Sequence, residues 1–129
     1  MADKTEVHMA QVDEFRGFSK KTVEFFKDLA ANNNREWFAA QRNNYEENVL
    51  QPARAFVVAM GERLQRLTPG ITANPRTDGS LFRIYRDTRF SPDKSPYKTH
   101  MGIFFWEGKR PRMECSGYYF HLEPPNLML

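Results

Sequence analysis

Apolar residues recur at helical spacing as far as Leu67. Past Thr68-Pro69-Gly70 they gather instead into short runs of strand formers. That change of period constrains the fold more than any other feature. Side chains on a helix share a face every three to four residues, and those on a strand every second one. Helices first and sheet second is the α+β order, here N-terminal helices packed on a mainly antiparallel sheet. The chain has 129 residues, eleven of them Phe, which suits one domain with a core of its own.

The helical half divides at two places. Ser19 stands as an N-cap before Lys20, and Val23, Phe26, Leu29 and Ala30 predict the buried face of a first helix. Asn32-Asn33-Asn34 stops it and caps the next, since Asn tolerates both roles. The second helix opens near Arg35, with Trp37, Gln41, Tyr45 and Val49 four apart and Phe38 beside them. Asn43, Asn44, Glu46 and Glu47 mark its wet face. Pro52 has no N–H to donate and must kink or restart the helix. Phe56, Val57, Met60, Leu64 and Leu67 then line one face of a third run. Strands are expected at Leu81–Asp87, Met101–Glu107 and Tyr118–Glu123, with Gly108 marking a turn. Residues 1–14 are polar and aperiodic, a flexible tail, so the domain is expected over residues 15–129. The apolar ending Leu127-Met128-Leu129 fits either a docked strand or a domain cut short.

Charge is unevenly distributed. From Arg76 to Arg112 nine basic residues face four acidic ones, a net +5, whereas the rest of the chain is −2. Such asymmetry points toward an anionic ligand. The lone Cys115 cannot form an intramolecular disulfide and suits a reducing compartment. The N-terminal MADKTEVHMAQVDEF has no apolar core of a signal peptide, and no apolar run approaches the roughly 18 residues of a membrane span. A cytoplasmic protein without membrane contact is expected.

Four segments carry a resemblance: NNNREWF (Asn32 to Phe38), YEENVLQPARAF (Tyr45 to Phe56), LFRIYRDTRFSPDKSPYKTH (Leu81 to His100) and GYYFHLEP (Gly117 to Pro124). In this order, and spanning almost the whole chain from about Phe15, they resemble the family catalogued as domain of unknown function 2461. The resemblance implies a cytosolic α+β domain and implies no reaction. It also implies a domain that continues past GYYFHLEP into a glycine-rich strand and further helices, so the chain is expected to stop inside its domain.

The chemistry concentrates between Ser80 and His100. In an extended Leu81–Arg89 segment, Arg83, Tyr85, Asp87 and Arg89 share one face, and Phe82, Ile84 and Arg86 the other. Asp87 would then lie between the guanidiniums of Arg83 and Arg89. Arg86, at the edge of the core, needs a carboxylate, carbonyls or a bound anion to offset its desolvation. The functional reading is a site for a phosphate-like anion. Arg83, Arg86, Arg89, Lys94 and Lys98 are its cations, Tyr97 and His100 its further donors, and Asp87 and Asp93 its orienting groups. The structural reading of the same residues is a clamp, in which Asp87 and Asp93 pair with the cations and lock the loop. Under that reading Arg86→Ala costs about 3–5 kcal/mol by orphaning a buried carboxylate.

The partner expected from the first reading is a phosphate-containing small molecule. Single-stranded nucleic acid is a further alternative, because Phe82, Tyr85, Phe90 and Tyr97 interleave with the cations. Those aromatics fall at core positions, however, and no helix-turn-helix, RNP or zinc-finger pattern accompanies them. An enzyme acting on a phosphorylated ligand is the second alternative, with His100 as a general base oriented by Asp87 or Asp93. No catalytic residue is assigned on that basis, and no cofactor is expected. Ser95-Pro96-Tyr97-Lys98 fits S-x-x-K, but S-D-N is absent and Lys98-Thr99-His100 is not K-T-G, so the match is chance. Asn33, Arg35 and Glu36 open a helix whose N-terminus suits an anion, although Glu36 there favours simple dipole complementation. No metal is expected: His8 lies in the tail, and His100, Cys115 and His121 show no ligand spacing of a known kind. His121 shares a strand face with Tyr119 and Glu123 and reads as a sheet-surface residue.

Overall fold

The computed structural model describes residues 15–124 and 126–128. The tail expected at residues 1–14 lies outside the described residues. Helix α1 runs over Lys20–Ala31, with Ser19 extended as its N-cap but making no side-chain capping bond. Its buried face is Thr22, Phe25, Phe26 and Leu29, whereas Val23 is half-buried and Ala30 exposed. Two phenyl rings hide more apolar area than Val23 and Ala30 could, and they set the rotation of the helix. Helix α2, Arg35–Ala40, is capped by the Asn34 side chain, which accepts from the Trp37 N–H at 2.8 Å.

Pro52 acts at a distance from its own position. Helix α3, Arg42–Tyr45, passes into a widened turn over Glu46–Leu50, where the Gln51 N–H reaches five residues back to the Glu46 carbonyl. Helix α4, Gln51–Leu67, then carries Pro52 in its first turn. In a regular helix the Asn48 carbonyl would take its bond from residue 52, which has no N–H. The fully buried Thr22 hydroxyl of α1 donates to that carbonyl at 2.6 Å. Thr22→Val keeps the shape and removes the donor. It is expected to lower stability by about 1–2 kcal/mol, read by urea denaturation, and a change indistinguishable from zero would mean that another group serves Asn48.

Among the described residues the sheet has four strands in chain order: β1 Ile71–Thr72, β2 Met101–Glu107, β3 Ser116–Glu123 and β4 Asn126–Met128. All neighbours are antiparallel, and the register pairs Gly102 with His121, Ile103 with Phe120 and Phe104 with Tyr119. Met101, Ile103, Phe105, Phe120 and Leu122 are buried toward the helices. Phe56 of α4 meets Phe120 at 4.5 Å and Phe105 at 6.1 Å between ring centroids. The opposite, outer face carries Gly102, Phe104 and Trp106 beside Gly117, Tyr119, His121 and Glu123. Leu67, expected on the buried face of α4, is 77% exposed. It is the last residue of the helix, where the chain turns away toward β1.

Leu81–Asp87, expected as a strand, is extended but forms only isolated bridges, Leu81 to Thr77 and to Ile103, and Tyr85 to Tyr97. It begins along the edge of β2, through Phe104 N–H to the Ser80 carbonyl and Phe82 N–H to the Gly102 carbonyl. It then transfers to residues 96–98, through Lys98 N–H to the Ile84 carbonyl and Arg86 N–H to the Pro96 carbonyl. Pro96 offers no N–H in return, so the ladder stays incomplete. The alternation of faces nevertheless survives: Ile84 is buried and Arg86 half-buried, while Arg83, Tyr85, Asp87 and Arg89 are exposed.

Candidate functional site

The predicted anion ligands separate into two groups. The first belongs to the loop. Arg86 donates from Nη1 to the carbonyls of Asp93 and Ser95, at 3.2 and 3.0 Å, and lies 3.3 Å from the Asp93 carboxylate. Asp93 accepts from the Ser95 hydroxyl at 2.6 Å and from its N–H at 2.9 Å, bonds that hold its carboxyl below the ordinary range. Arg89 forks onto Asp87, Nε at 3.0 Å and Nη2 at 2.8 Å, and its own N–H adds a third bond. These bonds bring the Asp87 carboxyl down to about 2. Lys94 donates to the Thr88 carbonyl at 2.6 Å. Asp93 is 63% exposed, so Arg86→Ala orphans no buried carboxylate and the 3–5 kcal/mol figure does not apply. The Ser95 and Lys98 of the S-x-x-K pattern are tied to different partners, Asp93 and the Arg83 carbonyl.

Asn33 fastens this loop to the helices. Its side-chain amide donates to the Tyr97 carbonyl at 2.8 Å and accepts from the Tyr97 N–H at 3.0 Å, as a neighbouring strand would. The buried Tyr97 ring lies stacked on Phe38 at 4.3 Å. Tyr97 thus belongs to the core rather than to a polar site. The other aromatics read as core positions behave differently, since Tyr85 is 50% and Phe90 90% exposed, the latter with the Arg89 guanidinium 5.4 Å from its ring centre.

The second group gathers around Phe82. Arg83 faces Asp78 rather than Asp87, Nε to Oδ2 at 3.8 Å, and Arg112 approaches the other oxygen of Asp78 at 3.8 Å. Asp78 occupies the left-handed backbone region, φ 65°, which Asp tolerates better than most residues. Arg112 also donates to the Gly79 carbonyl and lies 4.5 Å over the Phe82 ring. Lys98 donates to the Arg83 carbonyl at 2.7 Å, with its ammonium 5.7 Å from the same ring. Two guanidiniums therefore share one carboxylate, with the Lys98 ammonium against the same ring as Arg112. Burial first, and repulsion from Arg112 next, hold the Lys98 ammonium below its ordinary pKa.

Beside this corner the outer face of β3 carries a hydrogen-bonded row. The Tyr119 hydroxyl is 2.9 Å from His121 Nδ1, and His121 Nε2 is 3.0 Å from Glu123 Oε1. An ionised carboxylate only accepts, so Nε2 carries the proton and Nδ1 accepts from Tyr119. The β2–β3 register, carried one residue beyond the Met101–Leu122 pair, sets His100 opposite Glu123. The His100 ring stacks on His121 at 4.3 Å with 21° between planes. Burial holds the His100 imidazole below its ordinary pKa. Gly102 makes room for the row: a Cβ there would stand 2.8 Å from the Tyr119 hydroxyl and 3.1 Å from the Phe82 ring.

Arg112, Asp78, Tyr119 and Glu123 were not among the site residues read from the sequence. Arg112 and Asp78 carry no local signal, because they meet Arg83 only through the fold. The alternation in YYFHLE did place Tyr119, His121 and Glu123 on one face, but His100 joins them through strand register alone. Among the described residues, no helix is long and apolar enough to cross a membrane. The model of the family described as "Conserved hypothetical protein (DUF2461)" matches residues 21–129. No curated protein and no solved structure matches the chain.

Proposed function

The chain belongs to the DUF2461 family, and we propose that it is a binding module for a phosphate-like anion, held at the corner formed by Arg83, Lys98 and Arg112. One observation carries this reading: the guanidiniums of Arg83 and Arg112 both approach the single carboxylate of Asp78, and the Lys98 ammonium lies against the same Phe82 ring as Arg112. The uncompensated charge sits beside the low-dielectric face of Phe82, where it acts on an incoming anion with less screening than in open water. Arg guanidiniums suit the paired oxygens of a phosphate, and Lys98 adds a point charge. Arg86, Arg89 and Lys94 act indirectly in this reading, by shaping the loop. The same reading places the protein in the cytoplasm, where a reducing medium keeps Cys115 free.

The test is a melting series with sulfate, phosphate, nucleotides and a short single-stranded oligonucleotide, each matched to sodium chloride of equal ionic strength. An anion at about a hundred times its dissociation constant adds roughly 2.7 kcal/mol of stability, a visible rise in midpoint. Lys98→Gln and Arg112→Gln are expected to remove that rise, whereas Arg89→Gln retains it. If no anion exceeds its salt control, the proposal fails. The reading left is a scaffold that works through an interface, favoured by the loop's own ion pairs, Arg86–Asp93 and Arg89–Asp87.

A further inference from the structure

We propose that His100, His121 and Glu123 form a binding site for a divalent transition-metal ion, independent of the anion reading. Two imidazoles and one carboxylate are a donor set that takes Zn²⁺ while leaving a coordination position for water or another ligand. Their ligand atoms lie within 4.8 Å of one another. Around a tetrahedral Zn²⁺ with bonds of about 2.0–2.2 Å, donors stand on the order of 3.3 Å apart. His121 and Glu123 already meet at 3.0 Å, so only His100 has to close in, by turning its ring off the stack. That is a side-chain rotation, with both strands held in register by the β2–β3 ladder.

The surroundings suit an ion as well as the donors do. In the free protein, Nε2–H of His121 bonds Glu123. A bound ion takes the place of that proton between the same two atoms, and the imidazole keeps one proton, on Nδ1 instead. Nδ1–H then donates to the Tyr119 oxygen across the contact already formed at 2.9 Å. A ligating histidine whose second nitrogen is held by such a partner is the usual arrangement at metal sites. Tyr119 is therefore a positioning residue, and Gly102 provides the slot it lies in. His121 and Glu123 lie on β3, and His100 immediately precedes β2, whose ladder with β3 sets its backbone opposite Glu123. Phe82 meets Tyr119 at 6.1 Å and so joins this site to the basic corner.

The tag-free full chain, stripped with chelator, is titrated with ZnCl₂ by calorimetry and with CoCl₂ by visible absorption. The expected result is uptake of one ion per chain, with cobalt bands of nitrogen and oxygen ligands and no thiolate charge-transfer band. Tyr119→Phe, which keeps the ring against Phe82, is expected to weaken Zn²⁺ by about 10–100-fold. His121→Asn, His100→Asn and Glu123→Gln are each expected to weaken it further. His8→Ala and Cys115→Ser leave the affinity unchanged. The proposal is overturned if the wild-type chain takes up no Zn²⁺. It is equally overturned if uptake persists in the His100→Asn/His121→Asn double variant, or is abolished by Cys115→Ser. Should a histidine variant fail to fold, Tyr119→Phe and the cobalt spectrum still decide the matter.

Discussion

Asn33→Ala is expected to destabilise the protein by about 2–4 kcal/mol, because each buried polar group left without a partner costs about 1–3 kcal/mol. The asparagine serves both backbone groups of Tyr97, a residue only 4% exposed and stacked on Phe38. No nearby backbone replaces it: the segment following Tyr97 turns to Ile84 through Lys98 N–H, and the one before it to Arg86 through the Pro96 carbonyl. For a domain of this size the loss corresponds to a fall in melting midpoint of roughly 10 °C. Asn33→Asp separates the two bonds. It still accepts from the Tyr97 N–H but presents a second acceptor to the Tyr97 carbonyl, so its loss is expected to exceed that of a single neutral bond. Both variants are read by denaturant titration against Asn34→Ala, which removes only an exposed helix cap worth about 1 kcal/mol. If Asn33→Ala proves no worse than Asn34→Ala, solvent satisfies Tyr97 and the loop is not fastened through this amide.

The same residue shows where a sequence reading ends. Asn32-Asn33-Asn34 was legible as a helix stop and a following cap, and Asn34 does cap α2. The partner of Asn33 lies 64 residues away, and no local pattern announces it. Met101–Glu107 was legible to the residue, because Ile103 to Trp106 are consecutive strand formers and Gly108 closes the run with a turn. Leu81–Asp87 has equal strand propensity, yet one edge of β2 is divided between this segment and β1, and Pro96 withholds a donor farther on. Propensity described the conformation there and pairing decided the element. The candidate site divides in the same way. The charge surplus between Arg76 and Arg112 was visible as composition. Which cations are matched within the loop, and which share Asp78, depended on how the chain turns at residues 78–83 and 112. The two histidines, 21 positions apart in sequence, become neighbours only because β2 and β3 pair with Gly102 opposite His121.

That pairing makes Gly117→Ala the substitution with the largest expected effect, about 3 kcal/mol or more. A Cβ at Gly117 would overlap the carbonyl oxygen of Phe105 and stand 2.9 Å from its carbonyl carbon and from the Cα of Trp106. All three atoms are backbone of β2, so no side chain can step aside, and β3 must lift away from its neighbour near its start. Gly70→Ala is the contrasting control. Its Cβ would meet only the flexible Glu107 side chain, at 3.4 Å, and little loss is expected. Because Tyr119, His121 and Glu123 follow on the same strand, a lifted β3 also carries them away from His100. Amide chemical shifts are therefore expected to move in Gly117→Ala along β3 as far as Glu123 and across it at Gly102. They are expected to stay in place in α1, where Thr22 and Phe25 pack without touching this edge. A loss below about 1 kcal/mol, half an ordinary core overpacking, would mean that the two strands stand farther apart at Gly117 than their pairing with Trp106 requires.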